Sequence, residues 1–265
     1  MTSRSETATS CHREEHRQLL FRYVLAHADD NLILAQRLSG WISRAPDLEE
    51  DIAMANIALD LLGRARILLD YAGQLEGRDR SEDDLAMFRS EREFTNLLLV
   101  EQPNGDFAHT MVRQFLYDAY QTALWKSLCG SADATLAGIA GKAIKEARYH
   151  LRHSGTWLLR LGRGTEESHR RTQRALEGLW RFTAEMFETS ETDRKLAGAG
   201  LGVEPAGLQP GWERGVEKVF CEAGLQIPND RFARSGGRSG FHTEHLGLML
   251  AEMQWMQRAY PGMQW

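Results

Sequence analysis

Apolar residues recur at helical spacing along most of the chain. In the first such segment, from about Glu14 to Ile42, the residues that share one face lie three or four positions apart: Leu20, Val24, His27, Asn31, Leu34 and Leu38. No aliphatic run is longer than four residues, as at 97–100, whereas a membrane-spanning helix needs about 20 apolar residues. The pattern therefore predicts amphipathic helices packed around a water-excluded core.

The prolines leave room for long helices, since the intervals 47–102 and 104–204 contain none. Pro46 ends the first helix, and Asp47 is a candidate N-cap followed by acids in the first turn, where the helix dipole favours negative charge. Further helices are predicted over about 47–75, 106–128, 133–161 and 165–187, with shorter helical pieces over 82–101.

The chain is expected to form one helical domain with distinct terminal segments. Residues 1–13, rich in Ser and Thr, are predicted to be a disordered tail, and 14–188 the helical bundle. Residues 189–240 hold ten of the 24 glycines and three of the six prolines. That stretch should wrap over the bundle around one short helix, at about 209–223, and 241–265 should add a C-terminal helix and tail to the same domain.

Composition supports the all-α class. The sequence has 34 leucines and 29 alanines against 14 valines and isoleucines together, a bias toward good helix formers and away from β-branched residues. Four long helices joined by short loops are typical of a four-helix bundle, here with additional peripheral helices.

Charge and cysteine content exclude several functional classes. The net charge is −5, without the basic excess that nucleic-acid binding needs, and nothing in the sequence indicates a membrane partner. Cys11, Cys129 and Cys221 are odd in number and far apart, which fits neither a disulfide framework nor a thiolate metal site. We therefore expect a cytoplasmic protein.

Carboxylates on the apolar faces are the candidate chemistry. A ferritin-like di-iron bundle needs one carboxylate from each of two helices and a Glu-x-x-His pair from each of the other two. Asp60 on the second long helix and Glu146 on the fourth lie on mainly small or apolar stripes. Three residues after each, where histidine is required, stand Gly63 and Tyr149. The arrangement is that of a di-iron site without its nitrogen ligands.

The other two helices complete the set of acids. Asp29 or Asp30 can point inward from the first helix, and Asp118 from the third. His150 and His153 follow Glu146 closely and leave metal binding open as an alternative. The predicted pocket comprises Asp30, Asp60, Gly63, Asp118, Glu146, Tyr149 and His150.

Buried acids without a metal need compensation, because an unpaired charge in a low-dielectric interior is costly. Arg64, Lys142 and Arg148 are candidate counter-charges, and protonation with a raised pKa is the other route. Each acid taken alone can equally be a surface or helix-pairing residue.

A second polar string, His242-Thr243-Glu244-His245, opens the last helix. Two imidazoles three residues apart can support a metal, but the string lacks the His-Glu-x-x-His zinc spacing. We expect a helix-capping role for Thr243 and an interface role for the histidines.

Longer motifs indicate a family. The strings are NIALDLLGRAR (56–66), FTNLLLVEQPNGDFA (94–108), KAIKEARYHLRHS (142–154), LWRFTAEMF (179–187) and HTEHLGLMLAEMQWMQRAYPG (242–262). With these, the chain closely resembles the structural (C) subunits of bacterial multicomponent phenylacetyl-CoA 1,2-epoxidases, from about residue 18 to the end of the sequence.

The resemblance implies a ferritin-like subunit that pairs with a homologous catalytic A subunit. In that family the di-iron centre and the substrate are held by the A subunit, and oxygen activated there is delivered to the aromatic ring of phenylacetyl-CoA as an epoxide. Electrons come from NADPH through a reductase with FAD and an iron–sulfur centre. By resemblance, this chain is a non-catalytic, cofactor-free scaffold in a hetero-oligomer with the A subunit, other epoxidase subunits and the reductase.

Two rival functions remain open from the sequence. In the first, Asp60, Asp118, Glu146 and His150 bind iron and this chain is itself an oxygenase. In the second, it is a binding module that holds the CoA moiety or docks the reductase through basic residues such as Arg163, Arg170 and Arg171.

Overall fold

The protein is all-α in a computed structural model that describes residues 3–229 and 232–263, with side chains from Glu14 onward. Within these ranges there are ten α-helices and no strand. The helices are α1 (Ser3–Ser39), α2 (Leu48–Glu76), α3 (Glu82–Met87), α4 (Leu98–Glu101), α5 (Phe107–Leu128), α6 (Ala134–Gly162), α7 (Glu166–Leu179), α8 (Glu191–Gly198), α9 (Gln209–Ala223) and α10 (Glu244–Ala259). The predicted all-α class is confirmed, and the architecture is consistent with a ferritin-like bundle.

The four long helices form two antiparallel hairpins. Helix α1 packs along α2, and α5 packs along α6. Aspartate N-caps set three of the starts: the carboxylates of Asp47, Asp106 and Asp133 accept bonds from backbone amides three residues on. Almost every residue of α1 from Tyr23 to Leu38 is buried, as is most of α5, so these two helices form the centre of the molecule.

The helix boundaries differ from the sequence prediction in three places. Helix α1 begins at Ser3 rather than near Glu14, so the backbone over 3–13, predicted to be a disordered tail, is helical; Met1 and Thr2 lie outside the described residues. The helix predicted over 165–187 ends as α7 at Leu179 and continues as two 3₁₀ turns. Helix α8 was not predicted, whereas α9 falls at the predicted position.

Two loop segments fasten the periphery to α1. The segment 94–98 and the segment 236–240 meet at Gly237, where an added Cβ would lie 2.2 Å from the carbonyl oxygen of Asn96. The buried carboxylate of Glu185 ties the two segments by accepting bonds from the amides of Leu98, Gly236 and Gly237 at 2.7–2.9 Å. The C-terminal part of the chain is thereby fixed against the bundle. The last two positions of the predicted C-terminal tail lie outside the described residues.

No helix in the described part of the chain combines the length and the apolar character that crossing a bilayer requires.

Candidate interhelical polar site

The guanidinium of Arg64 lies between the four long helices and bonds to a side chain on each of the other three. From α2 it donates to Asn31 on α1 at 3.1 Å, to Gln121 on α5 at 3.0 Å and to Glu146 on α6 at 2.9 Å. We call these four residues the Arg64 cluster. Each helix thus supplies one polar group to a common centre, and the group at its middle is a cation.

Aromatic side chains hold the Arg64 cluster in place. The Arg64 guanidinium lies 5.6 Å from the ring centroid of Trp125, and the indole N–H of Trp125 donates to the side-chain oxygen of Gln121. The amide nitrogen of Gln121 donates to the hydroxyl of Tyr117 at 2.5 Å. The Gln121 oxygen therefore accepts from both Arg64 and Trp125, which fixes the orientation of its amide.

The positive charge of Arg64 is balanced by the negative charge of Glu146, its one close ionic partner in the cluster. Arg64 is 4% exposed and the side chain of Glu146 is 18% exposed, so their attraction is little screened by water. Lys142, the second predicted counter-charge, lies 3.8 Å from Glu146 with an exposed side chain. Arg148, the third, is exposed on α6. Arg64 therefore supplies the principal compensation, and it pairs with Glu146 rather than with its near neighbour Asp60.

Asp60 and His150 form a separate pair at the edge of the bundle. The Nε2 atom of His150 lies 3.0 Å from a carboxylate oxygen of Asp60, whose side chain is 41% exposed rather than inward-facing. Burial lowers the pKa of His150 to about 4, against the opposing effect of Asp60. Near neutral pH the imidazole is therefore neutral, and it donates its single Nε2–H to Asp60.

Asp118 is compensated by protonation. It is 3% exposed, and the hydroxyl of Ser154 donates to it at 2.8 Å. Burial raises the pKa of Asp118 to about 7, although Ser154 and Arg64 act in the opposite direction. Sequence analysis expected buried acids to be compensated either by a counter-charge or by protonation with a raised pKa, and Asp118 follows the second route.

Both candidate acids on α1 point inward, away from the Arg64 cluster. Asp29 pairs with Arg89 and accepts bonds from the amide and hydroxyl of Thr95 at 2.9 and 3.1 Å. Asp30 accepts two bonds from Arg238, at 3.0 and 2.7 Å, and one from the amide of Leu97. These carboxylates fasten the two loop segments. The α1 member of the central cluster is Asn31, not Asp30.

The two positions where histidine ligands were expected do not reach the centre. Tyr149 is 46% exposed, and its ring lies 5.6 Å from the guanidinium carbon of Arg152. Gly63 has no atom of another group within 4 Å of an added Cβ. Neither position contributes a ligand.

The residues present do not fit a di-iron centre. Such a centre needs several carboxylates and imidazoles directed at one point. Among the side chains that the structure describes, no three His, Cys, Asp or Glu groups converge in that way. The fixed positive charge of Arg64 stands among the four helices instead. The cavity beside Arg64 and Glu146 has a volume of 20 Å³, room for about one water molecule and not for a substrate.

A larger cavity lies elsewhere. It has a volume of 420 Å³ and is lined by residues that precede and begin α10, together with Leu98, Gln102, Arg181 and Phe182. It shares no residue with the Arg64 cluster.

The first two residues of the HTEH string, His242 and Thr243, join a buried network rather than cap the helix, whereas Glu244 is exposed and His245 partly exposed. Thr243 occupies the N-cap position of α10, but its hydroxyl donates to the carboxylate of Glu101 at 2.7 Å. The side chain of His242 is fully buried. Its Nδ1 lies 2.8 Å from Glu101 and its Nε2 lies 2.9 Å from the carbonyl oxygen of Phe94. The expected capping bond is therefore absent, and His242 packs inside the chain.

Sequence reasoning missed several members of these networks. Asn31 and Gln121 are uncharged, and only their position on otherwise apolar helix faces could have indicated a buried role. Arg89 and Arg238 had no such signal, because each pairs with an α1 acid far away in sequence.

Comparison with known proteins identifies the family of the chain. The chain matches the family described as "Phenylacetic acid catabolic protein" over residues 1–265. It is 53% identical over 246 residues to the C subunit of the 1,2-phenylacetyl-CoA epoxidase of Escherichia coli (strain K12), covering 93% of this chain and 99% of that protein. The chain therefore belongs to the phenylacetic acid catabolic protein family.

Proposed function

We propose that this protein is a structural, non-catalytic subunit of a phenylacetyl-CoA 1,2-epoxidase complex, which pairs with and stabilises a catalytic A subunit. The similarity to the C subunit of such an epoxidase supports membership of the complex. In this proposal the chain holds no cofactor. The di-iron centre belongs to the A subunit, and FAD and the iron–sulfur centre belong to the reductase.

The observation that carries the non-catalytic role is the position of Arg64. Its guanidinium bonds to Asn31, Gln121 and Glu146, one residue on each of the other long helices. A guanidinium cannot lose its proton in a protein, so it neutralises Glu146 permanently and repels a metal cation. The same bonds hold the four helices together, which is what a scaffold requires.

The two rival functions have less support. An oxygenase would need Asp118 and Glu146 to share a metal, but they are bound to Ser154 and to Arg64. A docking module for CoA or for the reductase would need free basic groups. Arg170 and Arg171 both bond to Glu167 instead. Arg163 donates to the carbonyl oxygen of Glu222.

Metal analysis of the isolated chain tests the proposal. The full-length protein is expressed with iron supplied, purified without its partners, confirmed as folded by circular dichroism, and assayed for iron per chain. We expect iron far below one atom per chain. A value near two would overturn the scaffold function and make this chain an oxygenase.

A matched variant pair shows what Arg64 does to metal affinity. Arg64→Glu removes the cation and adds a carboxylate, whereas Arg148→Glu makes the same change on an exposed position of α6. We expect Arg64→Glu to retain more Fe²⁺ after gel filtration than the natural chain and Arg148→Glu, neither of which should retain it. Tight Fe²⁺ binding by the natural chain, unchanged in Arg64→Glu, would contradict the argument from Arg64.

A further inference from the structure

The 420 Å³ cavity at the start of α10, which we call the α10 cavity, has both polar and apolar lining residues, and the proposed function does not use them. Its volume lies within the range of small-molecule binding sites, roughly 300–1,000 Å³. Three distant parts of the chain meet there: α4 with the residue that follows it, the 3₁₀ turn after α7, and the loop that leads into α10. The α10 cavity therefore exists only in the folded chain.

Basic groups dominate the charged part of the lining. Arg181 and Arg234 are neighbours, because the amide of Arg234 donates to the carbonyl oxygen of Arg181 at 2.7 Å. Arg234 is exposed, and no described residue bonds to its guanidinium. His245 adds an imidazole whose side chain is 33% exposed, whereas Glu244, the acid among the described lining residues, has a side chain 83% exposed to solvent. The α10 cavity therefore attracts an anion.

The first backbone amides of α10 add hydrogen-bond donors to the same cavity. The N-cap residue Thr243 makes no side-chain bond to the helix, because its hydroxyl donates to Glu101. The amides of Glu244 and His245, at the first two helical positions, therefore lack a cap. Open amides at a helix N-terminus bind phosphate and carboxylate groups. Together with the guanidinium of Arg234, they favour a doubly charged phosphate over a singly charged carboxylate.

A buried amide indicates what else the ligand carries. Gln102 lines the α10 cavity and is 7% exposed. Its side-chain nitrogen donates to the carbonyl oxygen of Leu98 at 2.8 Å, but its side-chain oxygen accepts no bond from the part of the chain that the structure describes. A buried acceptor without a donor is uncommon in folded proteins and costs free energy. A ligand with an N–H or O–H group would satisfy this oxygen.

Two phenylalanines supply an apolar wall beside these polar groups. Phe182 is half-buried, and Phe241 is 62% exposed. The guanidinium carbon of Arg92 lies 4.9 Å from the ring centroid of Phe241, a cation–π contact that helps to hold the ring in place. An exposed aromatic ring fixed in this way offers a surface on which a planar group can stack.

We infer that the α10 cavity binds a small phosphomonoester that carries a planar, hydrogen-bonding ring, as a nucleoside monophosphate does. The phosphate is bound by Arg234 and the open amides of α10, and the ring lies against Phe241 with an N–H group directed at Gln102. The inference does not depend on the proposed function, because every contributing residue belongs to this chain and no reaction is involved.

Isothermal titration calorimetry of the full-length chain tests the ligand class. The probes are adenosine monophosphate, ribose 5-phosphate and inorganic phosphate. We expect adenosine monophosphate to saturate one site per chain, and ribose 5-phosphate to bind about tenfold more weakly, since it lacks the stacking ring. Absence of saturable binding of adenosine monophosphate would overturn the inference. Equal affinity for adenosine monophosphate and inorganic phosphate would also overturn it, since the site would then hold an adventitious ion only.

Two matched variant pairs test the location of the site. Arg234→Ala should weaken the binding of adenosine monophosphate by about tenfold or more, because a charge-assisted hydrogen bond is lost. Arg214→Ala, the same change at an exposed position of α9 outside the α10 cavity, should leave the affinity unchanged. An affinity unchanged in Arg234→Ala, or reduced equally in both variants, would contradict the assignment.

The second pair adds a negative charge instead of removing a positive one. Ser235→Glu places a carboxylate in the lining of the α10 cavity and should abolish detectable binding of adenosine monophosphate. Ser127→Glu makes the same change near the end of α5, outside the cavity, and should bind as the natural chain does. All four substituted positions are exposed, so the variants should fold, which circular dichroism verifies. Normal binding by Ser235→Glu would place the phosphate elsewhere and overturn the inference.

Discussion

At the scale of single residues, three of the acids predicted for the central pocket are compensated in three different ways. Glu146 has a guanidinium partner, Asp118 keeps its proton until the pH rises to about 7, and Asp60 remains partly in water beside a neutral histidine. Each solution avoids the high cost of an unpaired buried charge. The three acids therefore act separately on stability, and removing their partners should have different consequences.

Replacing Arg64 by methionine should destabilise the fold strongly. The change leaves Glu146 unpaired and removes a bond from Asn31 and from Gln121. Breaking a fully buried pair costs roughly 3–5 kcal/mol, and we expect about 2–3 kcal/mol here because Glu146 is partly exposed. Urea unfolding measures the difference. The control Arg148→Met, at an exposed site on the next helix, should change the free energy of unfolding by about 0.5 kcal/mol or less. Equal losses in the two variants would contradict the central role of Arg64.

Asp118 should make the protein less stable as pH rises from about 4 to about 7. Its pKa is raised to about 7 in the folded protein, against about 3.9 in the unfolded chain. Across that interval the unfolded chain has released the proton and the folded protein retains it, so the unfolded state binds fewer protons and the free energy of unfolding falls with pH.

Asp118→Asn should remove this dependence. Relative to the natural chain, the variant should become more stable by on the order of 2 kcal/mol between pH 5 and pH 8, as measured by urea unfolding. Asp70→Asn, at an exposed position of α2, serves as the control and should follow the natural chain at both pH values. If Asp118→Asn also runs parallel to the natural chain, Asp118 is ionised throughout.

At the scale of elements, the sequence predicted what is local and missed what depends on distant partners. The bounds of α2, α5, α6 and α9 follow from N-caps, prolines and apolar spacing, all of which act within a few residues. Helix α7 ends early although its pattern continues. Position 180 begins a 3₁₀ turn in which Trp180 packs against Trp212 of α9, 5.7 Å away between ring centroids. Local periodicity cannot anticipate such a contact.

The attachment of α10 should weaken as pH rises. Burial lowers the pKa of His242, but the bonds to Glu101 and to the Phe94 carbonyl, with the charge of Glu91, outweigh burial and raise the pKa above its ordinary value. Both ring nitrogens face acceptors, which only the doubly protonated imidazole can satisfy. Since the folded pKa is the higher one, the stabilisation is complete below the ordinary histidine pKa and is lost as pH rises through the folded value.

Amide hydrogen exchange of α10 at pH 6 and pH 8 measures this effect. After correction for intrinsic exchange rates, we expect lower protection of α10 at pH 8 in the natural chain and a clearly smaller pH dependence in His242→Gln. His245→Gln, three residues later in the same string and partly exposed, should behave as the natural chain. Persistence of the pH dependence in His242→Gln would assign it to another group.

At the scale of the whole molecule, the environment of each acid predicted for the central pocket is set by a residue far away in sequence. Arg238 reaches Asp30 across 208 residues, and Arg64 reaches Glu146 across 82. Sequence analysis identified Asp30, Asp60, Asp118 and Glu146 as candidate buried acids, but it predicted that all four line one pocket. The structure distributes them among separate pairs, since the arginine or histidine that each acid meets is set by the tertiary fold. The periodicity and motifs of a single sequence do not indicate which distant residue pairs with each acid.

The last prediction concerns the assembled complex and follows from the proposed structural function. Asp60→Asn removes the charge next to His150 at a partly exposed site, while an amide oxygen still accepts the imidazole N–H at 3.0 Å. If this chain is a scaffold, epoxide formation by the complex reconstituted with the catalytic subunit should stay within about twofold of the natural rate. The thermal midpoint should shift by at most a few degrees, because a mild change at a partly exposed site costs about 1 kcal/mol or less. A severe loss of turnover with normal assembly, seen as an unchanged sedimentation profile, would place Asp60 in the chemistry and overturn the scaffold assignment. Asp70→Asn, ten residues along α2 and also exposed, provides the matched control for effects of lost surface charge.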